Sequence, residues 1–146
     1  MRHHAVIATI VLTALVGANK LMADQTHAEA VVQAQVEAYN ARNLDAFLDT
    51  YANDAELFEW PDKLIAAGRD QLRERYAARF AEPGLHAEIL RRIVSGGLVI
   101  DHEKVRRMFP EGPGTLEAIA IYEVSNGKIR KAYLRLGEKK LDNTQQ

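Results

Sequence analysis

The chain has 146 residues, 47% of them hydrophobic and 27% charged, with a formal net charge of −1. That is enough for one domain around one core, and it leaves no basic footprint for nucleic acid. No cysteine is present, which excludes a disulfide framework, a thiol nucleophile and a lipid anchor on Cys.

Residues 1–23 read as a signal peptide ahead of a domain at 24–142, with 143–146 as a polar tail. Arg2, His3 and His4 form a basic lead, and the apolar run Ala5 to Ala18 follows. The run is short for a membrane span and of the size of a signal-peptide core. Small residues at Val16-Gly17-Ala18 and Leu21-Met22-Ala23 place cleavage after Ala18 or after Ala23. The alternatives are an uncleaved N-terminal anchor or a later start codon. Cleavage implies export to the periplasm or the medium, with no membrane span left. Removal of residues 1–23 also deletes Arg2 and Lys20 but no acid, so the remainder is more acidic.

From His27 to Arg42 the residues Ala30, Val31, Ala34, Ala38 and Ala41 recur at helical spacing. Asn43 is placed to cap a second helix, Leu44 to Ala52, with Phe47, Leu48 and Tyr51 as its apolar stripe. Ala55 to Trp60 reads as a short strand closed by Pro61, and Lys63 to Ala67 as another. Arg69 to Ala81 is a third helix, with Leu72, Tyr76 and Phe80 on one face, stopped by Pro83-Gly84.

Beyond Gly84 the pattern turns to extended chain. Leu85–Val94, Leu98–Phe109, Thr115–Val124 and Lys128–Leu136 are separated by Ser95-Gly96-Gly97, Glu111-Gly112-Pro113-Gly114 and Asn126-Gly127. Asn-Gly signals a type I′ hairpin, whose two central residues need positive φ. Connections this short make neighbouring strands antiparallel. The expectation is an α+β domain with three helices first and a curved meander folded over them. Such a sheet leaves a cone open at one end, a natural ligand site.

Glu59 ends the segment Asp54-Ala-Glu-Leu-Phe-Glu-Trp-Pro61 between Phe58 and Trp60. A carboxyl against apolar neighbours resists ionisation and becomes suited to proton transfer; an acid at a strand end is also a common solvated charge. Ala118, Ala120 and Tyr122 share one strand face, and Ala132, Leu134 and Leu136 share a face of the next, a lining for either a cavity or a packed interior. In Leu98-Val-Ile-Asp-His-Glu-Lys-Val105 polar residues interrupt a strand. One register turns Ile100, His102 and Lys104 inward, where His102 could pair with Glu59; the other turns Val99, Asp101, Glu103 and Val105 inward.

The order helix–helix–strand–helix–meander resembles the nuclear transport factor 2-like superfamily, with its cone-shaped, cystatin-like fold. Within it the chain is most similar to the ketosteroid isomerase and SnoaL-like polyketide cyclase proteins. The resemblance is carried by Val31 to Asp45, Tyr51 to Glu59, Gly68 to Tyr76 and Gly127 to Leu141, and covers about residues 28 to 142. It implies Glu59 at the general-base position, where the family enzyme has Asp, and Tyr51 and Tyr76 at positions of a supporting tyrosine network. It also puts Asp101, Glu103 and their alternates inward. The two oxyanion-stabilising positions depart from the family: Gln35 stands for a tyrosine and Ala120 for a protonated aspartic acid.

His27, His86 and His102 lack paired ligand spacing, and there is no phosphate loop, G-x-S-x-G or dinucleotide fingerprint. The expected chemistry is therefore free of metal and cofactor. Three functions compete: proton transfer of isomerase, cyclase or hydratase type on a small hydrophobic substrate, with Glu59, Tyr76 and Tyr51 as catalytic residues; non-catalytic binding of a hydrophobic molecule; and a structural domain that dimerises through its outer sheet face.

Overall fold

A computed structural model describes the backbone of residues 4–142 and the side chains of residues 15–142. The helices are α1 (His4–Asn40), α2 (Leu44–Asp49) and α3 (Gly68–Phe80). The strands are β1 (Tyr51–Glu59), β2 (Lys63–Ala67), β3 (His86–Ser95), β4 (Leu98–Phe109), β5 (Gly112–Ser125) and β6 (Lys128–Leu141).

The helix expected from His27 is the second half of a longer one. Its buried side is Ala28, Val32, Gln35, Val36, Ala38 and Tyr39; of the expected stripe Ala38 is buried and Val31 half-buried, whereas Ala30, Ala34 and Ala41 are exposed. Burying valine and tyrosine removes far more apolar surface from water than burying alanine, so the larger side chains set the rotation of the helix. Leu15, Val16, Leu21 and Met22, around the two expected cleavage points, are exposed, and among the described side chains the first buried residue of α1 is Ala28. The basic lead of the expected signal peptide, and the side chains of most of its apolar run, lie outside the described residues. Among the described residues no helix is long and apolar enough to cross a membrane.

Asn43 caps α2 as expected, its side chain accepting from the Ala46 N–H at 3.1 Å. The helix stops at Asp49 because Tyr51 and Ala52 already belong to β1. The strands form one sheet in the order β2-β1-β6-β5-β4-β3. β3 to β6 are the expected antiparallel meander, and Asn126 and Gly127 at its last turn have φ of 51° and 72°. β1 extends the sheet by pairing with β6 in parallel, so the sheet is mixed rather than wholly antiparallel.

Three helices pack in the concave side of this sheet. Phe47 is fully buried at the centre, with ring centroids of Tyr76, Phe80, Tyr51 and Tyr39 at 4.6, 5.1, 5.2 and 6.2 Å. This aromatic cluster closes the narrow part of the cone and fixes where the side chains above it can stand.

Candidate active site

β4 carries the most unusual side chains of the interior. Its alternation buries Val99, Asp101, Glu103 and Val105, and turns His102 to the outer face, where its Nε2 lies 2.9 Å from Glu117. Two carboxylates thus enter the interior two residues apart and meet different fates. Asp101 is fully buried and held by Arg92 of β3 through Nε and Nη2, both at 2.7 Å. Glu103, 8% exposed, has among the described residues no paired cation and one hydrogen-bond partner, the Tyr122 hydroxyl at 3.5 Å. Burial, reinforced by the nearby Asp101 charge, raises its pKa to about 7 against the weaker pull of Tyr122 and Arg92.

Glu103 lines a cavity of about 60 Å³ whose apolar wall includes Val36, Ala87, Leu116, Ala118 and Leu134. At one water per roughly 10–15 Å³ of such space, it holds a few waters or a small organic molecule. Tyr39, Tyr76, Tyr122 and Gln35 also reach it, and Leu136, half exposed, stands where it meets solvent. Burial raises the pKa of all three tyrosines, so near neutral pH they are O–H donors rather than phenolates. At the rim, Arg79 and Arg107 line the cavity and share Glu82.

Of the residues singled out in the sequence, Gln35, Tyr76, Glu103, Ala118, Tyr122, Leu134 and Leu136 line this cavity together. Glu59 does not. It pairs across the sheet with Leu134, but it is the last residue of β1; its side chain is 57% exposed and ion-paired with Lys63 at 3.2 Å. The strand ends before the carboxylate can be enclosed, and a solvated, paired charge avoids the cost of burial. Tyr51, Ala120 and Asp101 are buried beneath the cavity rather than lining it. Tyr51 accepts a hydrogen bond from the Gln35 amide at 3.2 Å, so Gln35 supports a tyrosine instead of aiming its donor at a substrate. His102 faces away, which removes the alternative His102–Glu59 pair.

The missed lining residues follow periods visible in the chain: Tyr39 one helical turn after Gln35, Arg79 three residues after Tyr76, and Arg107 in step with Glu103 and Val105. Among the described residues no group of three or more His, Asp or Glu is placed to hold a metal ion.

A curved sheet closed over three helices, with a buried carboxyl in a small apolar cavity, is the architecture of the cone-shaped NTF2-like proteins. Residues 32–132 match the SnoaL-like domain family, and the chain belongs to that family. The fold is shared with the crystal structure of an uncharacterized cystatin-fold protein from Novosphingobium aromaticivorans, at 24% identity and a TM-score of 0.67 over 75% of this chain and 97% of that one. It is shared also with an LEH-like epoxide hydrolase of M. tuberculosis, at 15% identity and a TM-score of 0.68 over 77% of this chain and 84% of that one. No curated protein matches the sequence.

Proposed function

We propose that the protein is a cofactor-free enzyme of isomerase or hydrolase type that moves a proton on a small, largely apolar substrate, with Glu103 as the proton carrier. The observation that supports it is the Glu103 carboxyl, buried in an apolar cavity without a paired cation and poised near pH 7. A group that titrates near the working pH takes and returns a proton with little loss in either direction. Here Glu103 takes the role expected of Glu59. Tyr76 and Tyr122, both protonated, supply O–H donors to an oxygen that gains charge, in place of the donors missing at Gln35 and Ala120. The LEH-like epoxide hydrolase with this fold is named for a reaction that also fits such a site, since opening an epoxide with water requires a group that moves a proton.

A second reading, a binding protein without turnover, is favoured by the cavity's size and by the use of the Gln35 amide on Tyr51. In either case we place the mature protein outside the cytoplasm, after cleavage at Ala18 or Ala23, as a homodimer through the outer sheet face.

The test is proton NMR in D₂O with wild-type and Glu103→Gln protein, offered small ketones, acids and epoxides. Wild type should exchange protons next to a carbonyl, or open an epoxide, and Glu103→Gln should lose about 10²–10⁴-fold of that rate while still binding ligand. Binding without turnover in wild type would leave the carrier reading standing and remove the enzyme.

A further inference from the structure

We propose that the rim of the cavity is an anion subsite, and that the natural ligand is a short-chain monocarboxylic acid whose carboxylate is held by Arg79 and Arg107 while the far end of its chain, which carries the group that exchanges a proton, points toward Glu103. The proposal rests on the reading of this cavity as the ligand site and names the ligand's class.

Two guanidinium groups, one from the last turn of α3 and one from β4, converge on one carboxylate. Arg107 donates to Glu82 through Nε at 3.1 Å and Nη2 at 2.7 Å, and Arg79 reaches the same carboxylate through Nε at 3.4 Å. The Met108 N–H donates to Glu82 as well, at 3.0 Å. Three donors, two from Arg107 and one from Met108, fill the two carboxylate oxygens, and one negative charge is set against two positive ones. Arg42 holds the backbone of the same residue, its Nη1 donating to the Glu82 carbonyl at 3.3 Å. The arginines are not solvated surface charges: their side chains are only 27% and 15% exposed, and both line the cavity.

A partly desolvated guanidinium with donors to spare is the usual receptor for a planar carboxylate. Glu82 engages Arg107 through one edge of its fork and Arg79 through a single nitrogen, leaving Nη1 of Arg107 and both Nη groups of Arg79 outside the ion pairs. Arg79 also hydrogen-bonds the Tyr39 hydroxyl, and its charge acts on Tyr39 and Tyr76 against the effect of their burial, so it stands beside two phenols of the cavity wall with part of its donor set still unused. The charges acting on Glu103 are those of Asp101 and Arg92 instead. Arg107 stands four residues along β4 from Glu103, about 13 Å at the backbone, so the cations and the protonatable carboxyl occupy different parts of the lining. A cavity of about 60 Å³ limits the enclosed part to a few heavy atoms. A monocarboxylic acid with a short chain matches that enclosed size.

The experiment compares pentanoate with its neutral isostere pentanamide, titrated by NMR into the full chain at low ionic strength. Wild type should bind the acid at least about tenfold more tightly, the order expected for one charge-assisted contact. Arg79→Gln and Arg107→Gln should each erase most of that preference and leave amide binding unchanged. Glu82→Gln, which removes the competing anion, should move acid binding the opposite way, several-fold tighter. Arg107 also ties β4 to the segment after α3, so the more exposed Arg79 gives the deciding variant if Arg107→Gln does not fold. Equal affinity for acid and amide, or a preference untouched in Arg79→Gln, overturns the anion subsite. So does the absence of pentanoate binding at millimolar concentration. Glu103→Gln should keep the acid preference, so a failure of the proton carrier and a failure of the anion subsite are read from different variants.

Discussion

Arg92 grips Asp101 by two parallel hydrogen bonds of 2.7 Å, with Asp101 fully buried and Gln33 of α1 accepting a third bond from Arg92 at 2.9 Å. This pair lets one carboxylate be charged inside the cone, and that charge in turn helps keep Glu103, two residues on, protonated. One residue anchors β3 to β4 and the other is left free to exchange a proton.

Arg92→Ala should destabilise the protein by about 3–5 kcal/mol, because it strands a buried carboxylate. An apolar double change, Arg92→Met with Asp101→Leu, should cost less than the single one, since it leaves no buried charge behind. Urea unfolding of the variants checks both. A single variant as stable as wild type would mean the pair is not buried in solution.

Glu103 should titrate near pH 7, read by carbon-13 NMR of its carboxyl. Its pKa in the folded chain lies above the unfolded value, so the folded protein keeps a proton that the unfolded chain releases. Stability from this group is fully present below about pH 4.5 and is lost as pH rises through about 7. The loss is on the order of 3 kcal/mol for a shift of this size. Asp101, Arg92 and Tyr122 face the same carboxyl and set its value together. Glu103→Gln should flatten the pH dependence in this window and gain on wild type at pH 8. A wild-type curve that is already flat between pH 5 and 8 contradicts the burial of the charge.

Phe47→Ala should cost about 3–5 kcal/mol, as expected for a fully buried aromatic. Tyr39 and Tyr76 rest on this ring and line the cavity, so the variant should also weaken ligand binding from below. Phe47→Leu should recover much of the stability and less of the binding. Thermal unfolding and the pentanoate titration separate the two effects.

The outer face offers an apolar patch: Phe58 stacked on Tyr133 at 5.0 Å, Trp60 47% exposed, and Ile119 and Ile121 beside them. Such a patch on the convex face is the surface we expect a second copy to cover. Sedimentation of wild type should give a dimer at micromolar concentration, and Ile121→Lys should give a folded monomer. A monomeric wild type removes the homodimer.

Mass spectrometry of the exported protein should find a start at Asn19 or Asp24. An intact Met1 on protein recovered from the cytoplasm would remove both cleavage and export.

The local chemistry of the chain is enough to set most of its caps and turns, though not the end of α2, where Tyr51 and Ala52 belong to β1. Asn43 caps α2, Asn126-Gly127 turns the last hairpin, Pro83-Gly84 follows α3, and the alternation of Ala118, Ala120 and Tyr122 gives the inner face of β5. Each of these depends on neighbours a few residues away, which the sequence displays directly. The register of β4 is different. Asp101 and Glu103 alternate with His102 and Lys104, so both faces carry polar residues and alternation cannot choose between them. Arg92, on the preceding strand, chooses by offering Asp101 a buried partner. Glu59 shows the converse limit. Its apolar neighbours and strand parity are right for an enclosed acid, yet β1 ends there, and only the assembled sheet shows that its last residue meets solvent beside Lys63. The convergence of Arg79, Glu82 and Arg107 likewise joins the end of a helix to a distant strand. Periods and caps are local and are written in the chain; which acid is desolvated, and which cations share an anion, depends on long-range packing and was decided by the tertiary structure alone.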